Sequence, residues 1–147
     1  RPKLVHQCGR GRSAPLERHY QQLKMEAEVS EFIDDMAAVY RQADLVICRA
    51  GAMTVAEICA AGLAALLVPY PYAAGDHQRT NANYLASRGA AIALDESNLS
   101  AQHLAQTVSE LQNDRGRLLS IGENARALAR LDAAQRVTAQ CLEVIGA

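Results

Sequence analysis

The sequence predicts a doubly wound α/β fold, in which a parallel sheet carries helices on both faces. Short aliphatic runs alternate with longer helical patterns up to about residue 94, as in strand–helix–strand units. The strand-like runs are apolar at successive residues, which indicates burial on both faces of the sheet. From residue 99 onward only helical patterns occur, so we expect a helical C-terminal tail.

The positions of these patterns and of the turn residues place the individual elements. Strands are expected at residues 3–6, 29–33, 45–48, 65–68 and 90–94. Helices are expected at residues 14–27, 34–42, 54–61 and 77–88, with three more after residue 99. Pro15 suits the first turn of the first helix, and an aspartate at 34–35 suits the N-cap of the second.

Composition and charge narrow the class of protein. The 147 residues are 50% hydrophobic but only 4% aromatic, so we expect one domain with an aliphatic core. The formal net charge of −1 argues against a nucleic-acid-binding protein and gives no support for adhesion to anionic lipid. No apolar run approaches the roughly 18 residues that span a bilayer, and no signal peptide is visible.

Cysteine and histidine usage argues against metal sites and common cofactors. The cysteines form no C-x-x-C pair and are expected as buried small side chains in a reducing, cytoplasmic protein; they are Cys8, Cys48, Cys59 and Cys141. The histidines lack the spacing of metal ligands, and no dinucleotide-binding or Walker glycine motif occurs. We therefore expect neither a metal nor a cofactor.

Three loops are candidate binding sites, because ligands bind such sheets at the carboxyl ends of the strands. They follow Ile33, Cys48 and Val68. After Ile33, backbone N–H and C=O groups could meet the edge of a flat ring, with Phe32 and Met36 as apolar walls. The alternative is a plain strand end followed by a helix N-cap.

The loop after Cys48 is a candidate phosphate site. The small residues at 50–52 allow close approach to the backbone, and the following helix N-terminus offers unpaired N–H groups to an anion. Arg49 could add a charge-assisted hydrogen bond. The alternative is structural, because Thr54 and Glu57 have the T-x-x-E spacing of a capping box.

The loop after Val68 is a candidate sugar site. Two prolines and a small-residue stretch lead to six consecutive polar residues, 76–81, at the start of a predicted helix. Polar side chains that both donate and accept suit hydroxyl-rich ligands, so His77 and Gln78 could hold a sugar. The alternative is that Asp76 only caps the helix and the rest is a solvated first turn.

Together the three loops resemble one family. The strings FIDDM at 32–36, RAGAMTVAEI at 49–58, VPYP at 68–71 and HQRTNA at 77–82 look like the MurG family of bacterial N-acetylglucosaminyltransferases. The resemblance implies the GT-B fold, in which two Rossmann-like domains face each other across a cleft and the C-terminal one binds UDP-N-acetylglucosamine. Residues 1–147 would form that donor-binding domain, N-terminally incomplete and without the acceptor domain.

The resemblance also implies roles for residues at the nucleoside. Ile33 would contact uracil through its backbone, and Met36 would lie near it. Glu57 would accept hydrogen bonds from the ribose diol, a role that we favour over the capping box. Arg49 would lie under the nucleotide pocket.

At the phosphate and sugar end, the resemblance implies that Ala52, Met53 and Thr54 line the site. His77 and Gln78 would hold hydroxyls of the N-acetylglucosamine. The family is similar to inverting transferases that need no bound metal, where a helix dipole and N–H groups meet the charge of the leaving group.

The activity implied is transfer of N-acetylglucosamine to lipid I, undecaprenyl-pyrophosphoryl-MurNAc-pentapeptide, giving lipid II in peptidoglycan synthesis. The catalytic base, the lipid I site and the contact with the cytoplasmic face of the inner membrane would belong to the missing domain, so no catalytic residue is expected here. Two alternatives stay open: a donor-binding subunit of a split N-acetylglucosaminyltransferase, and a non-catalytic nucleotide-binding domain.

Overall fold

Parallel strands followed by helices recur along the part of the chain that the structure describes. The computed structural model covers residues 2–146, apart from the side chain of Ala74. It divides into two units, Arg1–Val39 and Tyr40–Ala147.

The first unit is built on a pair of parallel strands. Strand β1 (Leu4–Gln7) is followed by helix α1 (Ser13–Gln22) and strand β2 (Ala27–Ser30), and β1 pairs in parallel with β2. Helix α2 (Met36–Gln42) comes next, and the Asp35 carboxylate accepts a hydrogen bond of 2.8 Å from the N–H of Ala38 at its start. The predicted N-cap of this helix is therefore confirmed.

The second unit contains a three-stranded parallel sheet with the order β3-β4-β5. Its strands and α-helices are β3 (Leu45–Cys48), α3 (Ala52–Ala61), β4 (Ala64–Leu67), α4 (His77–Ala86), β5 (Ile92–Ala93), α5 (Ala101–Asn113), α6 (Arg115–Ala127) and α7 (Ala133–Ile145). Short 3₁₀ turns lie at Ala74–Asp76 and Glu96–Asn98. The helical C-terminal tail is confirmed.

Strand β4 is buried on both faces, as the run of apolar residues predicts. Ala65 and Leu67 join a cluster with residues of α3 and α4, among them Ile58 and Leu85. Ala64 and Leu66 point the other way and pack with residues of α5 and α6: Leu111, Leu118 and Ile121. Each fully buried leucine contributes roughly 1.5–3 kcal/mol relative to an exposed one. The α/β fold class, with helices on both faces of a parallel sheet, is confirmed.

Several predicted boundaries are wrong, for local reasons. The strand expected at 29–33 is β2 at Ala27–Ser30, because its partner β1 ends at Gln7 ahead of Gly9, whose φ is +83°. Ile33 therefore lies in a loop. The helix expected at 14–27 ends at Gln22, since Lys24 has a φ of +52° that breaks the helical path.

No helix within residues 2–146 combines the length and the apolar character that crossing a lipid bilayer requires.

Candidate functional site

The turn between β3 and α3 presents a helix N-terminus at the carboxyl edge of the sheet. Gly51 is the N-cap in an extended conformation, and its carbonyl accepts the first helical hydrogen bond, 2.9 Å from the N–H of Val55. The N–H groups of Ala52, Met53 and Thr54 precede that bond and have no partner within the helix. Ala52 and Met53 are exposed, so this terminus can receive an anion.

The capping-box interpretation of Thr54 and Glu57 is wrong. A capping box needs Thr54 at the N-cap, but α3 begins two residues earlier than the sequence pattern predicted, and Gly51 holds that position without a side-chain cap. Thr54 is therefore the third helical residue, and Glu57 lies on the next turn with its side chain exposed. Within residues 2–146, no group donates a hydrogen bond to the Glu57 carboxylate.

The negative charge of Glu57 acts on the nearby side chain of Tyr40. Burial raises the pKa of the Tyr40 hydroxyl, and the negative charge of Glu57 adds to that rise. Glu57 thus lies close enough to act electrostatically on Tyr40, while its carboxylate stays accessible to a ligand's hydroxyl groups. A carboxylate has four lone-pair sites and can accept from both hydroxyls of a vicinal diol.

Arg49 is bound to other parts of the protein. Its Nη1 and Nη2 atoms lie 2.6 Å and 3.2 Å from the two carboxylate oxygens of Glu96. Nη1 also donates to the carbonyls of Val68, at 3.2 Å, and Pro69, at 3.3 Å. The hydrogen bond with Glu96 raises the pKa of Arg49 and lowers that of Glu96. Arg49 therefore connects the carboxyl ends of β3 and β4 with the turn after β5.

The polar segment after β4 opens helix α4. Asp76 occupies the N-cap with a φ of +54°, a left-handed conformation that is uncommon for residues other than glycine. Its side chain makes no cap hydrogen bond and instead lies 3.3 Å from the Nε of Arg79. Asp76 therefore holds the N-cap position that the alternative interpretation gives it, but its side chain makes no capping hydrogen bond.

His77 and Gln78 form the first turn of α4. His77 is exposed, and Gln78 is half-buried. The Oε1 atom of Gln78 accepts a hydrogen bond of 2.9 Å from the N–H of Tyr70. This bond orients the Gln78 amide and leaves its Nε2 group as the donor that can reach a ligand.

Asn81 joins two of the candidate loops and is not among the predicted site residues. Its Nδ2 atom donates a 3.0 Å hydrogen bond to the carbonyl of Ala50, which is fully buried. The turn before α3 and the start of α4 are thereby held together. In the sequence, Asn81 belongs to the run of six polar residues at 76–81 and to the family-like string HQRTNA at 77–82, and neither distinguishes an internal contact from a ligand contact.

Ile33 and Met36 belong to the first unit. The N–H of Ile33 donates a 3.0 Å hydrogen bond to Oε1 of Gln7, so of its two backbone groups the carbonyl is the one without a described partner. Phe32 is 70% exposed, and Met36 is half-buried at the first position of α2. The expected apolar walls are present beside this loop.

A small cavity of about 160 Å³ lies at the carboxyl ends of β4 and β5. Its lining comes from Pro69–Pro71, from Asp76, Arg79 and Asn83 on the α4 side, and from residues 93–96. Pockets for drug-sized ligands usually span 300–1,000 Å³, so this cavity can take only part of a nucleotide sugar. Within residues 2–146, no group of three or more His, Cys, Asp or Glu side chains could hold a metal ion.

Comparison with known proteins identifies relatives of this chain. Residues 1–137 match the glycosyltransferase family 28 C-terminal domain. The chain is 54% identical over 142 residues to the UDP-N-acetylglucosamine--N-acetylmuramyl-(pentapeptide) pyrophosphoryl-undecaprenol N-acetylglucosamine transferase of Alcanivorax borkumensis, covering 97% of this chain and 40% of that protein. It is 51% identical over 144 residues to the protein of the same name from Nitrosococcus oceani, covering 98% of this chain and 40% of that one.

Solved structures agree with these relatives. MurG of Acinetobacter baumannii matches with a TM-score of 0.86 and 40% identity, over 92% of this chain and 41% of that one. A glycosyltransferase of kitacinnamycin matches with a TM-score of 0.67 and 25% identity, over 94% of this chain and 35% of that one. The chain spans about 40% of the length of the curated relatives it matches. Because the family model covers most of its residues, the chain belongs to glycosyltransferase family 28 and carries the C-terminal domain of that family.

Proposed function

We propose that this chain is the donor-binding part of an inverting glycosyltransferase that transfers N-acetylglucosamine from UDP-N-acetylglucosamine to lipid I, forming lipid II. The relatives' names support the donor and the acceptor class. The observation that carries the proposal is the turn before α3, where an open helix N-terminus at Gly51 lies one turn from the exposed carboxylate of Glu57. This arrangement suits a diphosphate next to a ribose.

The roles follow from the chemistry of each group. The N–H groups of Ala52, Met53 and Thr54 donate hydrogen bonds to the pyrophosphate. The positive end of the helix dipole stabilises the negative charge that develops on the departing UDP. Glu57 accepts hydrogen bonds from the ribose diol. Gln78 donates to a sugar hydroxyl through its Nε2 group, and His77 lies beside it at the start of α4.

The remaining contacts of the donor and the acceptor complete the proposal. The carbonyl of Ile33 receives the N–H of uracil, with Met36 and Phe32 as apolar neighbours. The lipid I site and the catalytic base belong to a second domain, consistent with relatives whose chains are longer than this one. The proposal includes contact of the complete enzyme with the cytoplasmic face of the inner membrane, which is supported by the pyrophosphoryl-undecaprenol acceptor in the relatives' names.

Calorimetry on the protein encoded by the complete reading frame tests this proposal. We expect UDP and UDP-N-acetylglucosamine to bind and GDP to bind much more weakly. Glu57→Gln should weaken UDP binding by about 1–3 kcal/mol, because an amide offers one weaker acceptor to the diol. It should leave the melting temperature unchanged, since Glu57 makes no capping hydrogen bond within the described part of α3 and its surroundings.

The matched control is Glu123→Gln, which changes an exposed glutamate on helix α6 and should leave UDP binding unaltered. Equal binding of UDP and GDP by the unaltered protein would contradict uridine recognition and favour a general nucleotide-binding domain. A stability loss in Glu57→Gln with normal UDP binding would assign Glu57 a structural role instead.

A further inference from the structure

Arg49 and Glu96 connect three strand ends in the second unit. Arg49 directly follows β3, its guanidinium reaches the two carbonyls after β4, and Glu96 follows β5. Two parallel N–H···O contacts fix the plane of the guanidinium against the carboxylate, a geometry that a single contact does not impose. The position of Glu96 therefore determines where Arg49 points.

The carbonyl groups of Val68 and Pro69 accept hydrogen bonds from the Arg49 guanidinium. They lie just beyond the last ladder residue of β4, where backbone groups lose their strand partners. The prolines at 69 and 71 have no N–H groups, so the segment has few donors of its own. Arg49 supplies hydrogen bonds to both carbonyls and thereby sets the direction in which the chain leaves the sheet.

The contacts continue from Arg49 to the predicted sugar site. The guanidinium carbon of Arg49 lies 5.4 Å from the centre of the Tyr70 ring, within the range of a cation–π contact. The N–H of Tyr70 donates to Oε1 of Gln78. Arg49 and Gln78 thus both contact the short segment 68–70, and a displaced Tyr70 would turn the Gln78 amide.

We propose that Arg49 and Glu96 are positioning residues for the donor sugar, which set the orientation of Gln78 through the segment 68–70, and that Arg49 is not a phosphate ligand. This inference rests on the proposed function. It assigns Glu96 a part in donor recognition although its contacts are with Arg49. It also explains why Arg49, which lies beside the phosphate-binding turn, has both Nη groups engaged elsewhere.

The test compares Glu96→Gln and Arg49→Lys in the protein encoded by the complete reading frame. For each variant, the Kd of UDP, the Kd of UDP-N-acetylglucosamine and the transfer kinetics are measured, with circular dichroism as a check on folding. Both variants should leave the Kd of UDP within about twofold and raise the Kd and KM of UDP-N-acetylglucosamine roughly 3- to 10-fold, the effect of one misplaced hydrogen bond.

The control is Asp44→Asn, which removes the exposed ion pair of Asp44 with Arg115, 3.1 Å apart, outside the site. It should change neither nucleotide affinity. Equal weakening of UDP and UDP-N-acetylglucosamine in Arg49→Lys would overturn the inference and make Arg49 a phosphate ligand. Unchanged affinity for both UDP and UDP-N-acetylglucosamine in Glu96→Gln would also overturn the inference, because the Arg49–Glu96 ion pair would then be a surface contact without a role in donor binding. If the unaltered protein binds no uridine nucleotide, the proposed function itself fails.

Discussion

The cysteine side chains differ in exposure, so their thiols should differ in reactivity. Cys59 is buried, Cys8 and Cys48 are half-buried, and Cys141 is exposed on α7. Burial raises the pKa of the Cys48 thiol to about 11. The expectation of buried cysteines is thus confirmed for Cys59 and wrong for Cys141, whose helix has no buried residue.

We predict that iodoacetamide at pH 8 modifies Cys141 well before Cys48. Only the thiolate reacts, and with a pKa of about 11 roughly 0.1% of Cys48 is ionised at that pH. Mass spectrometry of the labelled peptides measures the two rates, and Cys141→Ser should remove the fast phase. Labelling of Cys48 as fast as Cys141 in the folded protein would contradict the assignment.

The same pKa shift has a consequence for stability in alkali. Folding favours the neutral thiol of Cys48, whose pKa is raised above the ordinary value of 9.0. Its contribution to stability is therefore fully present below pH 9 and is lost as the pH rises toward about 11.

At the scale of elements, helix α6 packs so closely against the turn after α3 that no side chain fits between them at residue 122. A Cβ atom at Gly122 would lie 2.5 Å from the backbone carbonyl oxygen of Gly62. Gly62 ends α3 in a left-handed conformation, where its N–H bonds to carbonyls of the last turn. The close approach of α6 to this turn therefore depends on the absence of a side chain at 122.

We predict that Gly122→Ala destabilises the protein by about 1–3 kcal/mol, because backbone atoms must move to admit the methyl group. The gain in helix propensity, up to about 1 kcal/mol, only partly offsets this loss. Urea unfolding measures the change. Gly116→Ala is the control, since its added Cβ meets only the Asp114 carboxylate oxygen at 3.5 Å, and it should stabilise the same helix. Equal stability of the two variants would show that α6 moves freely.

At the scale of the whole molecule, the chain forms two units and spans about 40% of the length of the curated relatives it matches. The second unit contains the buried strand β4, the turn at residues 50–52 and the polar start of α4. Helix α7 exposes Val137, Val144 and Ile145, which are 63%, 87% and 72% accessible. Its apolar face therefore adds nothing to the cores around β4.

We predict that acid removes the contribution of the Arg49–Glu96 pair to overall stability. The Arg49 hydrogen bond lowers the pKa of Glu96 below its ordinary value of 4.5. The contribution is therefore present above pH 4.5 and is lost as the pH falls through the lowered pKa. Thermal melts of the unaltered protein and Glu96→Gln should differ at pH 7 and converge in acid. A difference that persists at low pH would exclude an ionic origin.

The sequence by itself determined the class of fold and indicated the candidate places for a ligand. A strand whose successive residues are all apolar can bury both of its faces only between two layers of helices. The buried strand β4 and the helices that cover it were therefore predictable. The turn at 50–52 and the polar run at 76–81 were recognisable because small residues and helix starts have local signatures. The donor-binding roles stay predictions for all of the proposed site residues, which are Ile33, Met36, Arg49, Ala52, Met53, Thr54, Glu57, His77 and Gln78.

Only the tertiary structure decided which groups Arg49 and Asn81 contact and where Thr54 lies in its helix. Arg49 and Glu96 are 47 residues apart, and the parallel sheet brings them together by placing the carboxyl ends of its strands at one edge. Asn81 bonds to a carbonyl 31 residues away for the same reason. Thr54 lost its capping role because α3 starts at Ala52, two residues before the local pattern suggested. Local sequence patterns specify helices and strands. The contacts between residues on different strands depend on the order of the strands in the sheet, which no short stretch of sequence contains.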